Sequence, residues 1–171
     1  MTAAAVAQVD LVAAWPGKSD GVRRHPALWH MLDVAAAAER LWLASALAGL
    51  PAERRQALLF LIALHDLGKL SAAFRRQIEE DRPPPQWCRH WELTDWLLCE
   101  HDGRLAALIA GGKGARRALR AAVAGHHGRP ASNDTNGLTN AARRAEMGSE
   151  ARDIAGQAID RLATLFAPMS L

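Results

Sequence analysis

At 171 residues, half of them hydrophobic, the chain is sized for one domain with a substantial core and is not built to be disordered. Its formal charge of +3 is mildly basic, and no apolar run reaches the roughly eighteen residues that a membrane span needs. The start, Met1-Thr2-Ala3-Ala4-Ala5, lacks the basic segment and cleavage signature of a secreted precursor. Cys88 and Cys99 form no CxxC arrangement, which supports neither a zinc knuckle nor a disulfide framework and fits a reducing cytoplasm.

The predicted elements are helical throughout, because no stretch alternates with period two in Val, Ile, Thr and aromatics, and Tyr is absent. A first helix is expected over much of 3–14, stopping before the turn-forming Trp15-Pro16-Gly17-Lys18-Ser19. Pro26 suits the first turn of a long helix to Leu47, with Leu28, Met31, Leu32 and Ala35 as its apolar stripe. Gly49-Leu50-Pro51 breaks it, and Pro51 opens a helix in which Leu58, Leu61, Ile62 and His65 share a face expected to point into the core. Gly68 releases the chain there, and Ser71 is a natural N-cap for a short helix over 72–80. Asp81-Arg82-Pro83-Pro84-Pro85 reads as a stiff connection. A helix from His90 to Glu100 follows, then a break at Gly111-Gly112-Lys113-Gly114. The next helix, 115–126, is stopped by His126-His127-Gly128-Arg129-Pro130. After a loop over 131–138, two more helices are expected around 139–147 and 149–166. The pattern predicts an all-α bundle of roughly six to eight helices.

The chemistry concentrates in Leu64-His65-Asp66-Leu67-Gly68-Lys69. An imidazole and a carboxylate carried inward together need a partner that offsets their desolvation, and a divalent metal accepts both as ligands. Alone, the pair is also what a hydrogen-bonded core histidine beside a solvated aspartate looks like. Seven histidines are present, and His30, His65, His90, His126 and His127 all fall where helices deliver side chains inward or at an end. His25, His90 and His101, taken singly, read as surface or structural. No pair has the HExxH spacing, so ligands from separate helices would have to converge, as bundles arrange for dinuclear sites. Tandem His126-His127, flanked by Gly125 and Gly128, is able to turn both rings toward one centre. Between Asp102 and Asp134 there is no acidic residue, while Arg104, Lys113, Arg116, Arg117, Arg120 and Arg129 all lie there. That run is either a positive field suited to a polyanion or a solvated helix face.

In this order, His30, His65-Asp66 with Gly68-Lys69, His90 and His126-His127-Gly128 resemble the HD superfamily of metal-dependent phosphohydrolases. More narrowly the chain resembles the HD nuclease domain of the type I CRISPR helicase–nuclease. That match rests also on Trp15-Pro16-Gly17-Lys18, on His25-Pro26 leading through His30 to Asp33-Val34-Ala35, and on Phe74.

The resemblance implies an HD-domain helical bundle with a metal site in its core. One ion would be held by His30, His65 and Asp66, the other by His90, His126 and His127, with Asp66 bridging and Lys69 steadying a phosphate oxygen. Up to two divalent transition metals per chain are implied, with Mn, Fe, Co, Ni or Zn favoured over Mg by the mixed imidazole and carboxylate donors. The implied activity is sequence-independent two-metal hydrolysis of single-stranded DNA. Its implied partners are a helicase domain, in the same or a separate chain, and a CRISPR surveillance complex, with no membrane. Two departures stand out. Trp91 is inserted into the family's Arg-His-Glu pattern, which leaves His101 as a fallback for His90. The family's last metal-binding aspartate has no match either, Asp153 and Asp160 lying in the helix before it. The expectation is therefore that 1–171 is one HD nuclease domain ending before its final metal-ligand helix, with its first metal site one ligand short. Two other functions share the residues: a nucleotide phosphohydrolase, which needs a closed base pocket, and a non-catalytic DNA- or protein-binding module.

Overall fold

The computed structural model describes residues 10–83, 88–109, 111–128 and 140–168. Of the expected features, residues 3–9, Pro84, Pro85, Arg129 and the loop 131–138 lie outside these. The chain runs through α1 (Leu11–Ala14), β1 (Pro16–Ser19), β2 (Arg24–Pro26), α2 (Ala27–Leu43), α3 (Ala52–Ala63), α4 (Ala72–Glu79), α5 (His90–Glu100), α6 (Asp102–Leu108), α7 (Lys113–Ala124), α8 (Asn140–Met147) and α9 (Ala151–Phe166). Three 3-10 stretches, Ala46–Gly49, Leu64–Leu70 and Gly125–His127, complete the path. The all-α expectation holds, and among the described residues no single helix is long and apolar enough to cross a membrane.

The core forms around α3 and Leu64–Leu70, with α2, α5, α7 and α9 packed on them. Met31, Phe60, Leu64, Leu67, Leu70, Leu97, Ile159 and Leu162 are fully buried. Each such side chain contributes about 1.5–3 kcal/mol relative to leaving it in water. In α9 the buried positions Ile154, Ala155, Ala158, Ile159 and Leu162 form one stripe at helical spacing. α3 is buried more widely than an amphipathic stripe requires. Phe60, Ala63 and Leu64 are inside, and the face carrying Leu58, Ile62 and His65 lines a recess against α7.

Three expectations change. Residues 16–26 hold a short antiparallel hairpin, pairing Pro16 with Pro26, Lys18 with His25 and Ser19 with Arg24. Strands of four and three residues are too short to print an alternation, and their pairing comes from the backbone. Gly17 is required there, since a Cβ on it would stand 2.4 Å from the Ala27 Cα. α2 ends at Leu43 rather than Leu47, where the Ser45 N–H tightens onto the Trp42 carbonyl at 3.0 Å. Finally, α6 adds a helix over a stretch to which the sequence pattern assigns no element, because Leu105 and Ile109 bury against the core even though Gly103 weakens the helix.

Candidate metal centre

The HD pair is not on a regular helix. It sits in the 3-10 stretch Leu64–Leu70, every residue of which is buried, and Asp66 leaves helical geometry at φ −109°, ψ 24°. On a regular helix neighbouring side chains diverge by about 100°. The kink instead brings His65 Nε2 to 3.1 Å from Asp66 Oδ2.

Four separate stretches converge on this carboxylate. Oδ2 lies 2.9 Å from His30 Nε2, delivered by the first turn of α2, and 2.7 Å from Lys69 Nζ. Oδ1 lies 3.2 Å from His90 Nε2, at the first residue of α5, and 3.3 Å from His126 Nε2, in the turn after α7. His127 joins through His90, their Nε2 atoms 2.9 Å apart. Donor atoms of His30, His65 and Asp66 fall within 4.8 Å of one another, as do those of His90, His126 and His127. Asp66 thus turns one oxygen toward each triad.

The donor chemistry fits a divalent cation. His65 Nδ1 lies 2.9 Å from the Ile62 carbonyl and His126 Nδ1 3.0 Å from the Val123 carbonyl. A carbonyl only accepts, so each Nδ1 carries the hydrogen, which leaves Nε2 of each ring as the atom able to ligate a cation. Backbone-oriented imidazoles of this kind are what metal ligation uses. Asp66 Oδ1 is also buried with no hydrogen bond of its own. Burial alone would raise the Asp66 pKa. The imidazoles of His126, His30, His65 and His90 outweigh it and hold the carboxyl far below its usual range, so it is ionised at neutral pH. Partial desolvation, then the charges of His126 and His90, pushes His127 down, which favours the neutral ligand form.

All six residues proposed as ligands meet in this cluster, and Lys69 meets it too. Its ammonium bonds Asp66, however, rather than facing open space. His101 is elsewhere, buried at the α5–α6 junction with Nε2 2.9 Å from the Arg152 carbonyl. The His90 ring is the one that α5 brings to Asp66. Asp160 pairs with Arg104, and Asp153 lies in the first turn of α9, so neither joins either triad.

Sequence reading missed the residues that align these stretches. Thr94, fully buried, accepts the Gly68 N–H at 2.8 Å, and its hydroxyl lies 3.2 Å from the His65 carbonyl and 3.0 Å from that of His90. Trp15 donates its indole N–H to the Lys69 carbonyl at 3.0 Å. A threonine in a helix and a tryptophan before a proline carry no local sign of contacts 26 and 54 residues away. Trp91, the inserted residue, packs against His127 with ring centroids 4.6 Å apart and the rings tilted by 45°. Beside the centre opens an apolar recess of about 500 Å³, walled by Val34, Leu58, Leu119, Ala122 and Val123, with His65 and His126 at its edge.

The basic run, open to reading as a positive field or as a solvated helix face, is partly paired within the protein. Arg116 and Arg120 reach Asp102, and Arg104 reaches Asp160.

A histidine–aspartate cluster gathered from separate stretches of one helical bundle defines the HD class of domain. The chain matches the family described as Cas3, HD domain over residues 15–170, and it belongs to that family. A solved structure described as "Crystal structure of CRISPR-associated protein" superposes with a TM-score of 0.66 at 23% identity, covering 91% of this chain and 19% of that one. The likeness shows a shared fold, and the chain spans about a fifth of that neighbour's length. No curated protein matches the chain in sequence.

Proposed function

We propose that this chain is the metal-dependent nuclease domain of a CRISPR system and hydrolyses the phosphodiester bonds of single-stranded DNA without reading its sequence. The observation that carries the reading is Asp66, which turns one carboxylate oxygen toward each of two triads of ligand atoms. Membership of the Cas3 HD family supports hydrolysis and the CRISPR setting, and the structural neighbour is itself a CRISPR-associated protein.

His30, His65 and Asp66 would hold one divalent ion and His90, His126 and His127 a second, with Asp66 shared. Bound ions would supply Lewis acidity toward a phosphoryl oxygen and lower the pKa of a water to near neutrality. The chain's own contribution is orientation and charge. The Ile62 and Val123 carbonyls fix two rings, Thr94 ties His90's helix to the HD stretch through Gly68 and His65, and Lys69 compensates the buried carboxylate. Imidazole-rich donors favour Mn, Fe, Co, Ni or Zn over Mg. A helicase domain, in this or another chain, recruited by a CRISPR surveillance complex in the cytoplasm, would present the unwound strand.

The apolar recess supports a second reading, hydrolysis of a nucleotide whose base enters it. The deciding experiment incubates the metal-supplemented protein with single-stranded DNA, duplex DNA, nucleoside triphosphates and cyclic dinucleotides. Preferential release of fragments from the single strand is expected. Turnover of the small nucleotides with intact DNA would favour the second reading.

A further inference from the structure

We infer that the β1–β2 hairpin is the arm that takes the sugar–phosphate backbone of the single strand beside the centre, with Lys18, Arg23 and Arg24 as its phosphate contacts. The inference rests on the nuclease reading and adds where the strand lies. All three side chains are exposed, and they line a groove of about 420 Å³ together with Ser19, Asp20 and His25. Asp20, the one acid in the hairpin, is turned back on its own turn and accepts the Val22 and Arg23 N–H groups at 2.9 and 2.6 Å. Lys18 and Arg23 have no ion-pair partner among the described residues. Arg24 reaches Glu79 at 3.3 Å with its side chain still 57% exposed. Helix α7 has spent two of its three arginines on Asp102.

The hairpin is also fixed to the centre at both ends. Trp15, at its start, bonds the Lys69 carbonyl, and its own carbonyl takes the Ala27 N–H at 2.8 Å. His25, in β2, stands with its ring centroid 6.5 Å from that of His30. Positive charge without an ion-pair partner among the described residues, on Lys18 and Arg23, is therefore tied to the first ligand triad through Trp15 and His25 but stands outside it. It reaches phosphates flanking the one being cut, which a polynucleotide has and a mononucleotide lacks.

The test measures binding of a labelled single-stranded oligonucleotide by anisotropy, in EDTA and over a range of salt. The proteins compared are the unaltered chain, Lys18→Glu/Arg23→Glu, and the charge-matched Lys113→Glu/Arg117→Glu on α7. Loss of two phosphate contacts should weaken hairpin-variant binding by about tenfold or more beyond the α7 variant and flatten the log–log salt slope by about 1.4. Lys18→Gln/Arg23→Gln should flatten the slope likewise, and equal melting temperatures confirm folding. Equal losses in the two Glu variants, or no binding by the unaltered chain, overturn the inference. Hydrolysis of the same strand with Mn²⁺ is scored separately. Hairpin-dependent binding without cleavage leaves the arm standing and contradicts the nuclease reading. Cleavage with hairpin-independent binding does the reverse.

Discussion

Gly68 and His90 meet so closely that a Cβ on Gly68 would stand 1.8 Å from the His90 carbonyl oxygen and 2.6 Å from the Thr94 N. This contact joins the stretch carrying His65 and Asp66 to the helix carrying His90, and so joins one triad to the other. Gly68→Ala cannot be absorbed by a side-chain shift, because the obstructing atoms are backbone. It should cost about 3 kcal/mol, the upper end for overpacking, and lower metal retention at the His90 triad. Thermal melts and metal analysis of the purified variant check both; a stable variant with unchanged metal content contradicts this account of the joint.

Thr94→Val keeps the shape of the joint but removes the acceptor for the buried Gly68 N–H. An unsatisfied buried donor costs about 1–3 kcal/mol. Chemical denaturation should show that loss, and the metal dissociation constant should rise as His90 loses its alignment.

Asp66→Asn should abolish hydrolysis, since it removes the one carboxylate that faces both triads. It also removes the negative charge that offsets the buried Lys69 ammonium. The metal-free variant should therefore lose about 3 kcal/mol, as when half of a buried ion pair is removed. Activity retained with metal confirmed in place would falsify the role given to Asp66.

Metal content offers a direct reading. Asp66 is the only carboxylate in either triad among the described residues. With so little negative charge for two divalent ions, the dialysed 171-residue chain should hold fewer than two per molecule. Elemental analysis after dialysis decides this, and two tightly held ions would show that a further ligand takes part.

His101 should govern part of the acid sensitivity of the fold. Burial pushes its pKa below the ordinary value of 6.5, so the unfolded chain binds the proton better than the folded one. The stability it contributes is complete above about pH 6.5 and is lost as pH falls from there through the lower folded-state value. Between about pH 8 and pH 5 the melting temperature of the unaltered protein should fall more steeply than that of His101→Gln. Parallel curves would place the acid sensitivity elsewhere.

Local pattern determined most of the helices and the residues of the centre. Apolar spacing in α2 and α9, Ser71 as N-cap of α4, and the breaks at Gly49-Leu50-Pro51 and Gly125-His126-His127-Gly128 act within a turn or two of chain, so they can be read from neighbouring residues. The ordered histidines and the His65-Asp66 pair pointed to one cluster because few other folds need that set. Tertiary structure alone decided the rest. Whether His90 or His101 reaches Asp66, that Lys69 bonds Asp66, that Thr94 and Gly68 form the joint, and that Arg104, Arg116 and Arg120 are paired all depend on contacts between distant segments or on the kink at Asp66. The hairpin escaped for a related reason. Its pairing is made by backbone groups, and its side chains are too few to show a period. Only the folded chain reveals a hairpin whose Lys18 and Arg23 have no ion-pair partner among the described residues and whose His25 stands beside His30.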